Sequence, residues 1–93
     1  MPLSDHQLLL GTHKGHEPSA RLLWERLGVR LVAYAHVLLR DPQAAEDAVQ
    51  GAFLRVISAR RAQIDAVGDP VAWLVTLTRR EAVTQLRAHR RDL

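Results

Sequence analysis

Residues 41–58, DPQAAEDAVQGAFLRVIS, decide the fold, because a helix start, an unbroken apolar face and an acidic patch share this one stretch. Asp41 is suited to accept a hydrogen bond from a free N–H of the first turn. Pro42 loses nothing at the first helical position, where its missing donor would have no partner. Apolar side chains at Ala45, Ala48, Val49, Ala52, Phe53 and Val56 follow the i, i+3, i+4, i+7 rule and mark a core-facing stripe. Away from it Glu46, Asp47 and Gln50 cluster within a turn, and Leu54 follows Gln50 by four residues. The helix thus has one face for a core and one that fits a partner. A plain solvated face, with acids favoured near the positive helix end, fits the same residues.

Working outward towards the N-terminus, Arg40, Asp41 and Pro42 form a short turn after a helix expected from Pro18 to about Leu39. In that helix Leu23, Leu27, Leu31, Ala35 and Leu38 recur at helical spacing, and Trp24 and Tyr34 add bulk. So short a connection predicts antiparallel packing of the two helices. Gly28, which costs about 1 kcal/mol relative to alanine inside a helix, predicts a bend or a close helix contact. Before it, Ser4 or Asp5 caps a short helix through Leu8, Leu9 and Leu10 that ends at Gly11 or Gly15. Towards the C-terminus, residues Arg60 to Asp69 (RRAQIDAVGD) read as a loop, and Asp69-Pro70 repeats the Asp41-Pro42 start signal for a last helix to about Arg90. No segment alternates long enough for a strand. The expected fold is all-α, a compact bundle of three main helices plus a short N-terminal one, with residues 1–93 as a single domain.

Composition agrees with an ordinary small globular chain: 93 residues, 47 % hydrophobic and 25 % charged. A chain of this size buries roughly two-thirds of its unfolded surface, enough for one core. No run is long enough to span a bilayer, and the N-terminus lacks the basic lead-in and cleavage site of a secretory signal. Cysteine is absent, which removes disulfides, thiol nucleophiles and thiolate metal sites and fits a reducing compartment, the cytoplasm by default. The net charge of +3 is unevenly placed: residues 1–50 carry five Lys/Arg against six Asp/Glu, and residues 51–93 carry eight against four. All the cations but Lys14 are arginine, the side chain that forks onto phosphates and stacks on bases; a GC-rich genome gives the same bias.

The basic excess is ordered along the last helix, where Thr76, Arg80, Thr84, Arg87 and Arg91 form a stripe flanked by Arg79 and Arg90. Cations interleaved with small hydroxyls suit contact with a nucleic-acid backbone. They also suit a solvated face near the negative end of a helix dipole. Trp73 fits either stacking on an unpaired base or partial burial, and Phe53, on the apolar stripe, is assigned to the core. His13 and His16 have the spacing of a metal pair but only Glu17 nearby as a third ligand, so no metal site is expected. His6, His36 and His89 show no partner pattern. With no identifiable Ser-His-acid set, glycine-rich phosphate loop or metal-ligand group, neither an enzyme nor a cofactor is expected.

Two runs in this order, AEDAVQGAFLRV (45–56) and, about fifteen residues on, AWLVTLTRREAVTQLR (72–87), resemble region 2, the polymerase- and promoter-binding domain, of extracytoplasmic-function sigma factors. The opening SDHQLLLGTHKGHEPSARLLWERLGVRLVAYAHVLLRDP (4–42) is similar to that family's first two helices, so the likeness runs from about Ser4 to Arg91. It implies a domain that binds core RNA polymerase and recognises the minus-ten promoter element as unpaired non-template strand. Carried over, Asp41, Glu46, Asp47, Gln50 and Leu54 would dock on the clamp coiled coil of the largest polymerase subunit. The Arg60–Asp69 loop, with Arg60 and Arg61, would hold a flipped base. Trp73, Thr76, Arg79, Arg80, Thr84, Arg87 and Arg91 would line the strand's path. An anti-sigma factor is a further implied partner; a membrane is not.

The chain also departs from the family's pattern. Gly51 stands where the family usually has glutamate, which removes an acid from the expected docking side and weakens the helix. Thr78-Arg79-Arg80-Glu81-Ala82-Val83-Thr84 stands where Ala-Arg-Asn-Leu-Ala-Ile-Asp is usual, so promoter preference does not carry over. The second helix-turn-helix domain that usually follows is not within these residues. An alternative role is therefore a sigma-like interaction module, engaging polymerase or an anti-sigma partner without initiating transcription. A third is a plain arginine-rich nucleic-acid binder.

Overall fold

A computed structural model describes residues 3–92. The chain forms α1 (Asp5–His13), α2 (Glu17–Leu39), α3 (Pro42–Ser58), α4 (Arg61–Asp65) and α5 (Pro70–Asp92), with no strand among the described residues. The all-α bundle expected from periodicity is present, and α4 is an additional short helix inside the segment expected to be a loop. No helix of the described residues is long and apolar enough to cross a membrane.

Local chemistry sets each start. Ser4 Oγ accepts from Gln7 N–H at 3.1 Å while Gln7 Oε1 accepts from Ser4 N–H at 2.8 Å, a reciprocal capping box. His16 caps α2 through Nδ1, which accepts from Ser19 N–H. Asp41 Oδ1 accepts from the N–H groups of Gln43 (2.9 Å) and Ala44 (3.3 Å), and Asp69 Oδ1 does the same for Val71 (3.0 Å) and Ala72 (3.2 Å). The two Asp-Pro pairs therefore work as expected. Helix α2 stops at Arg40, a left-handed C-cap (φ 56°, ψ 26°) whose N–H donates to the His36 carbonyl oxygen at 2.7 Å.

Helix α3 is the centre. All six residues of its expected stripe are buried, between α2 on one side and α5 on the other. Five of them are alanine or valine, small enough for close helix approach, while Phe53 meets the Trp24 ring edge-on at 5.2 Å between centroids. Gln85 Nε2 donates to the Ala44 carbonyl oxygen (3.1 Å) and Arg55 pairs with Glu81 (3.3 Å), so α3 and α5 run in opposite directions. Leu8 and Leu9 of α1, Leu23, Leu27, Leu31 and Ala35 of α2, Ile64 of α4 and Leu74, Leu77 and Ala82 of α5 complete one core. Leu38 shares the helical spacing of the α2 core residues yet stays partly exposed, close to the end of that helix.

Three glycines are explained by space. Helix α1 runs through Gly11, where a Cβ would overlap Ser19 Oγ and lie 2.5 Å from Ser19 Cβ. Gly11 is thus the crossing point of α1 and α2 rather than a terminator; the turn falls at Gly15, with φ 81°. At Gly28 a Cβ would lie 3.2 Å from the indole of Trp24, so that glycine gives room to a side chain of its own helix. The third, Gly51, bears on the site.

Candidate functional site

Two surfaces of different chemistry emerge. On α3, Glu46, Asp47 and Gln50 are exposed, and Leu54 keeps 64 % of its surface in solvent. Asp47 accepts from Gln43 Nε2 at 3.0 Å, which orders the carboxylate without neutralising it. Asp41 is exposed but spends Oδ1 on two backbone donors, so its first task is to hold the start of the helix. Ile57 also belongs to this face: at 49 % exposure it extends the apolar strip one turn beyond Leu54. Continuing the helical wheel past Leu54 would have found it.

Gly51 is not on that face. Its missing side chain points at α5, where a Cβ would lie 2.9 Å from Glu81 Oε1 and 3.2 Å from Glu81 Cγ. The two departures from the family's pattern therefore meet: the position that lost an acid on α3 leaves room for an acid on α5. The outward acidic face is not interrupted by Gly51.

The second surface is α5. Thr76, Arg79, Arg80, Thr84, Arg87 and Arg91 are exposed, and the four arginines make no ion pair among the described residues. The two hydroxyls differ from expectation. Thr76 donates to the Ala72 carbonyl oxygen (3.1 Å) and Thr84 to that of Arg80 (3.0 Å), so each hydroxyl proton is committed to its own helix. Tyr34 of α2 faces the arginines across an open groove of about 630 Å³ that includes Arg79, Arg80 and Arg87.

On the other side of α5 lies a cleft of about 410 Å³ between α3, α4 and α5, lined among others by Arg55, Gln63, Trp73, Arg80 and Glu81. Trp73 is half-buried: part of it packs on the core, and the rest separates this cleft from a hollow of about 360 Å³ over Ala66, Val67, Gly68 and Asp69. The segment from Arg60 to Asp69 is anchored by Ile64, which is fully buried. Arg61 is paired with Asp65 at 3.0 Å across one turn of α4, and Arg60 is exposed with its N–H donating to Gln63 Oε1 at 3.1 Å. Neither arginine lines the cleft or the hollow. The histidines considered for a metal are engaged structurally. His13 Nδ1 lies 2.9 Å from the Val56 carbonyl oxygen, and His16 caps α2.

The class of molecule is thus an all-α bundle that presents two chemically distinct surfaces, an acidic-apolar face on α3 and an arginine-rich one on α5. The family model of sigma-70 region 2 matches residues 23–92, and the chain belongs to that family. Two curated relatives, an ECF RNA polymerase sigma factor SigK from Mycobacterium sp. (strain KMS) and the RNA polymerase sigma factor SigK from Mycobacterium sp. (strain MCS), are each 33 % identical to it over 66 residues. That alignment covers 71 % of this chain and 34 % of each relative, so the chain spans about a third of their length. No solved structure matches the chain significantly.

Proposed function

We propose that this domain is the part of a transcription initiation factor that docks on core RNA polymerase and takes the minus-ten promoter element as single-stranded DNA. One observation carries it. A helix that buries six apolar residues still leaves Leu54 and Ile57 exposed beside Glu46, Asp47 and Gln50. Acids around an apolar strip suit a basic coiled coil with apolar seams, the charges steering encounter and setting register while the leucine and isoleucine bury. The clamp coiled coil of the largest polymerase subunit is the partner of that chemistry. The arginines of α5, unpaired among the described residues, and the half-buried Trp73 suit the non-template strand, through phosphate contacts and stacking. Residues 1–93 then act as one domain, in the cytoplasm where polymerase works.

The test is a pull-down with core polymerase of the wild type against the double charge reversal Glu46→Lys and Asp47→Lys. Retention of the wild type and loss of the variant, with helicity unchanged, is the expected result. Equal retention, or none, refutes the docking face. Single-stranded promoter oligonucleotides should bind by anisotropy, weaken with salt, and lose affinity on Arg80→Ala and Arg87→Ala.

A second function, an interaction module that engages polymerase or an anti-sigma partner without initiating transcription, is favoured by α2, where Val29 and Val37 are 80 % and 74 % exposed and offer a further apolar contact. Polymerase retention without any oligonucleotide binding at low salt would select it.

A further inference from the structure

The cleft between α3, α4 and α5 contains a feature that affinity for DNA does not explain. Among the described residues Glu81 is the one acid in its lining, beside Arg55, Arg80, Gln63 and Trp73. A carboxylate there repels every phosphate that approaches and lowers affinity for any strand. It is also well held: its side chain is only 19 % exposed, its position depends on the space left by Gly51, and Oε1 accepts from Arg55 Nε at 3.3 Å. Oε2 takes part in no hydrogen bond among the described residues. An oriented carboxylate with a free oxygen, in a cleft with an aromatic wall and a cation at its edge, is arranged to accept hydrogen bonds from a neutral donor edge.

We propose that Glu81 makes this cleft selective among unpaired nucleobases, favouring guanine and disfavouring thymine. The inference rests on the single-strand binding proposed above and adds which base the cleft takes. Guanine presents N1–H and the N2 amino group side by side, the donor pair that a carboxylate accepts with two oxygens. Thymine presents one N–H between two carbonyl oxygens, which face the carboxylate with like charge. The base would stack on Trp73 while Arg80 meets the adjoining phosphate. At about 410 Å³ the cleft is within the range of roughly 300–1,000 Å³ usual for small-ligand sites. An acid that reduces general affinity while rewarding one base is a specificity device.

The experiment measures anisotropy of end-labelled oligothymidine carrying a single dG at its centre against the same strand with dT throughout, with the whole chain at low salt. The wild type should favour the dG strand by roughly tenfold, as a bidentate contact commonly gives. Glu81→Gln keeps an acceptor for Arg55 but loses the second carboxylate oxygen; it should bind the dT strand more tightly and bring the two affinities together. Gly51→Ala, whose methyl displaces Glu81, should shrink the preference in the same direction and serves if Glu81→Gln fails to fold by circular dichroism. Equal affinities in the wild type overturn the proposal, as does a preference that survives both substitutions. If the wild type binds neither strand, the single-strand function falls as well, an outcome distinct from binding without preference.

Discussion

Replacing Gly51 by alanine tests how α3 and α5 meet. The new methyl would lie 2.9 Å from Glu81 Oε1, 3.1 Å from Cδ and 3.2 Å from Cγ, all on the outer part of one flexible side chain. No backbone atom is among those nearest neighbours, so Glu81 can swing towards solvent. Two effects then oppose each other. Alanine gains about 1 kcal/mol over glycine in a helix interior. Displacing Glu81 gives up its pair with Arg55, whose side chain is 67 % exposed, and an ion pair so open to water contributes less than about 1 kcal/mol. The expected net change therefore lies between about zero and +1 kcal/mol of stability. In a Glu81→Ala background the three atoms nearest the methyl are gone, and the gain should rise towards the full roughly 1 kcal/mol. A double-mutant cycle by urea denaturation, followed by far-ultraviolet circular dichroism with equal slopes, measures both numbers. A loss of more than about 1 kcal/mol in both backgrounds would refute the reasoning, because the obstacle would then have to be something other than Glu81.

The same substitution at Gly11 should go the other way. There the methyl meets Ser19 Oγ and lies 2.5 Å from Ser19 Cβ, which cannot move without shifting α2, so thermal unfolding should show a loss of about 1–3 kcal/mol despite the helix propensity gained. Arg40 holds φ 56° at the end of α2, a conformation that costs a residue with a Cβ about 1 kcal/mol, and Arg40→Gly should raise stability by up to that amount in urea titrations. Thr78 is fully buried and its hydroxyl has no hydrogen-bond partner among the described residues. Thr78→Val, similar in shape and without the polar atom, should stabilise by about 1 kcal/mol; a melting temperature that falls would show that the hydroxyl has a partner after all.

Much of the fold could be read along the chain because its signals are local. The Asp-Pro pairs at 41–42 and 69–70 each place a carboxylate within reach of free N–H groups two and three residues on, and both helices begin there. The α3 stripe emerged residue for residue, since a period of 3.6 set against a single core leaves little choice. Helix α4 was less legible. It is five residues long, and what fixes it is the burial of Ile64, an event between distant segments. Leu38 fits the spacing of the α2 core face but not the burial, since periodicity does not say where a helix outruns its neighbours.

The candidate surfaces divide in the same way. Glu46, Asp47, Gln50 and Leu54 share an outward face by spacing alone, and the arginine stripe of α5 is likewise a property of one helix. The threonine hydroxyls of that stripe donate within their own helix, a contact that spacing does not reveal, since a helical threonine can turn to the carbonyl four residues back.

The sequence by itself determined the four longer helices, the Ser4, Asp41 and Asp69 caps and the two chemically distinct faces, all of which depend on residues within a few turns of one another. Only the tertiary structure decided which glycine ends a helix and which admits a neighbour, that Gly51 faces Glu81 rather than a partner, and that Trp73, Arg55 and Glu81 wall one cleft. Those are distances between helices, and no periodicity within a helix encodes them.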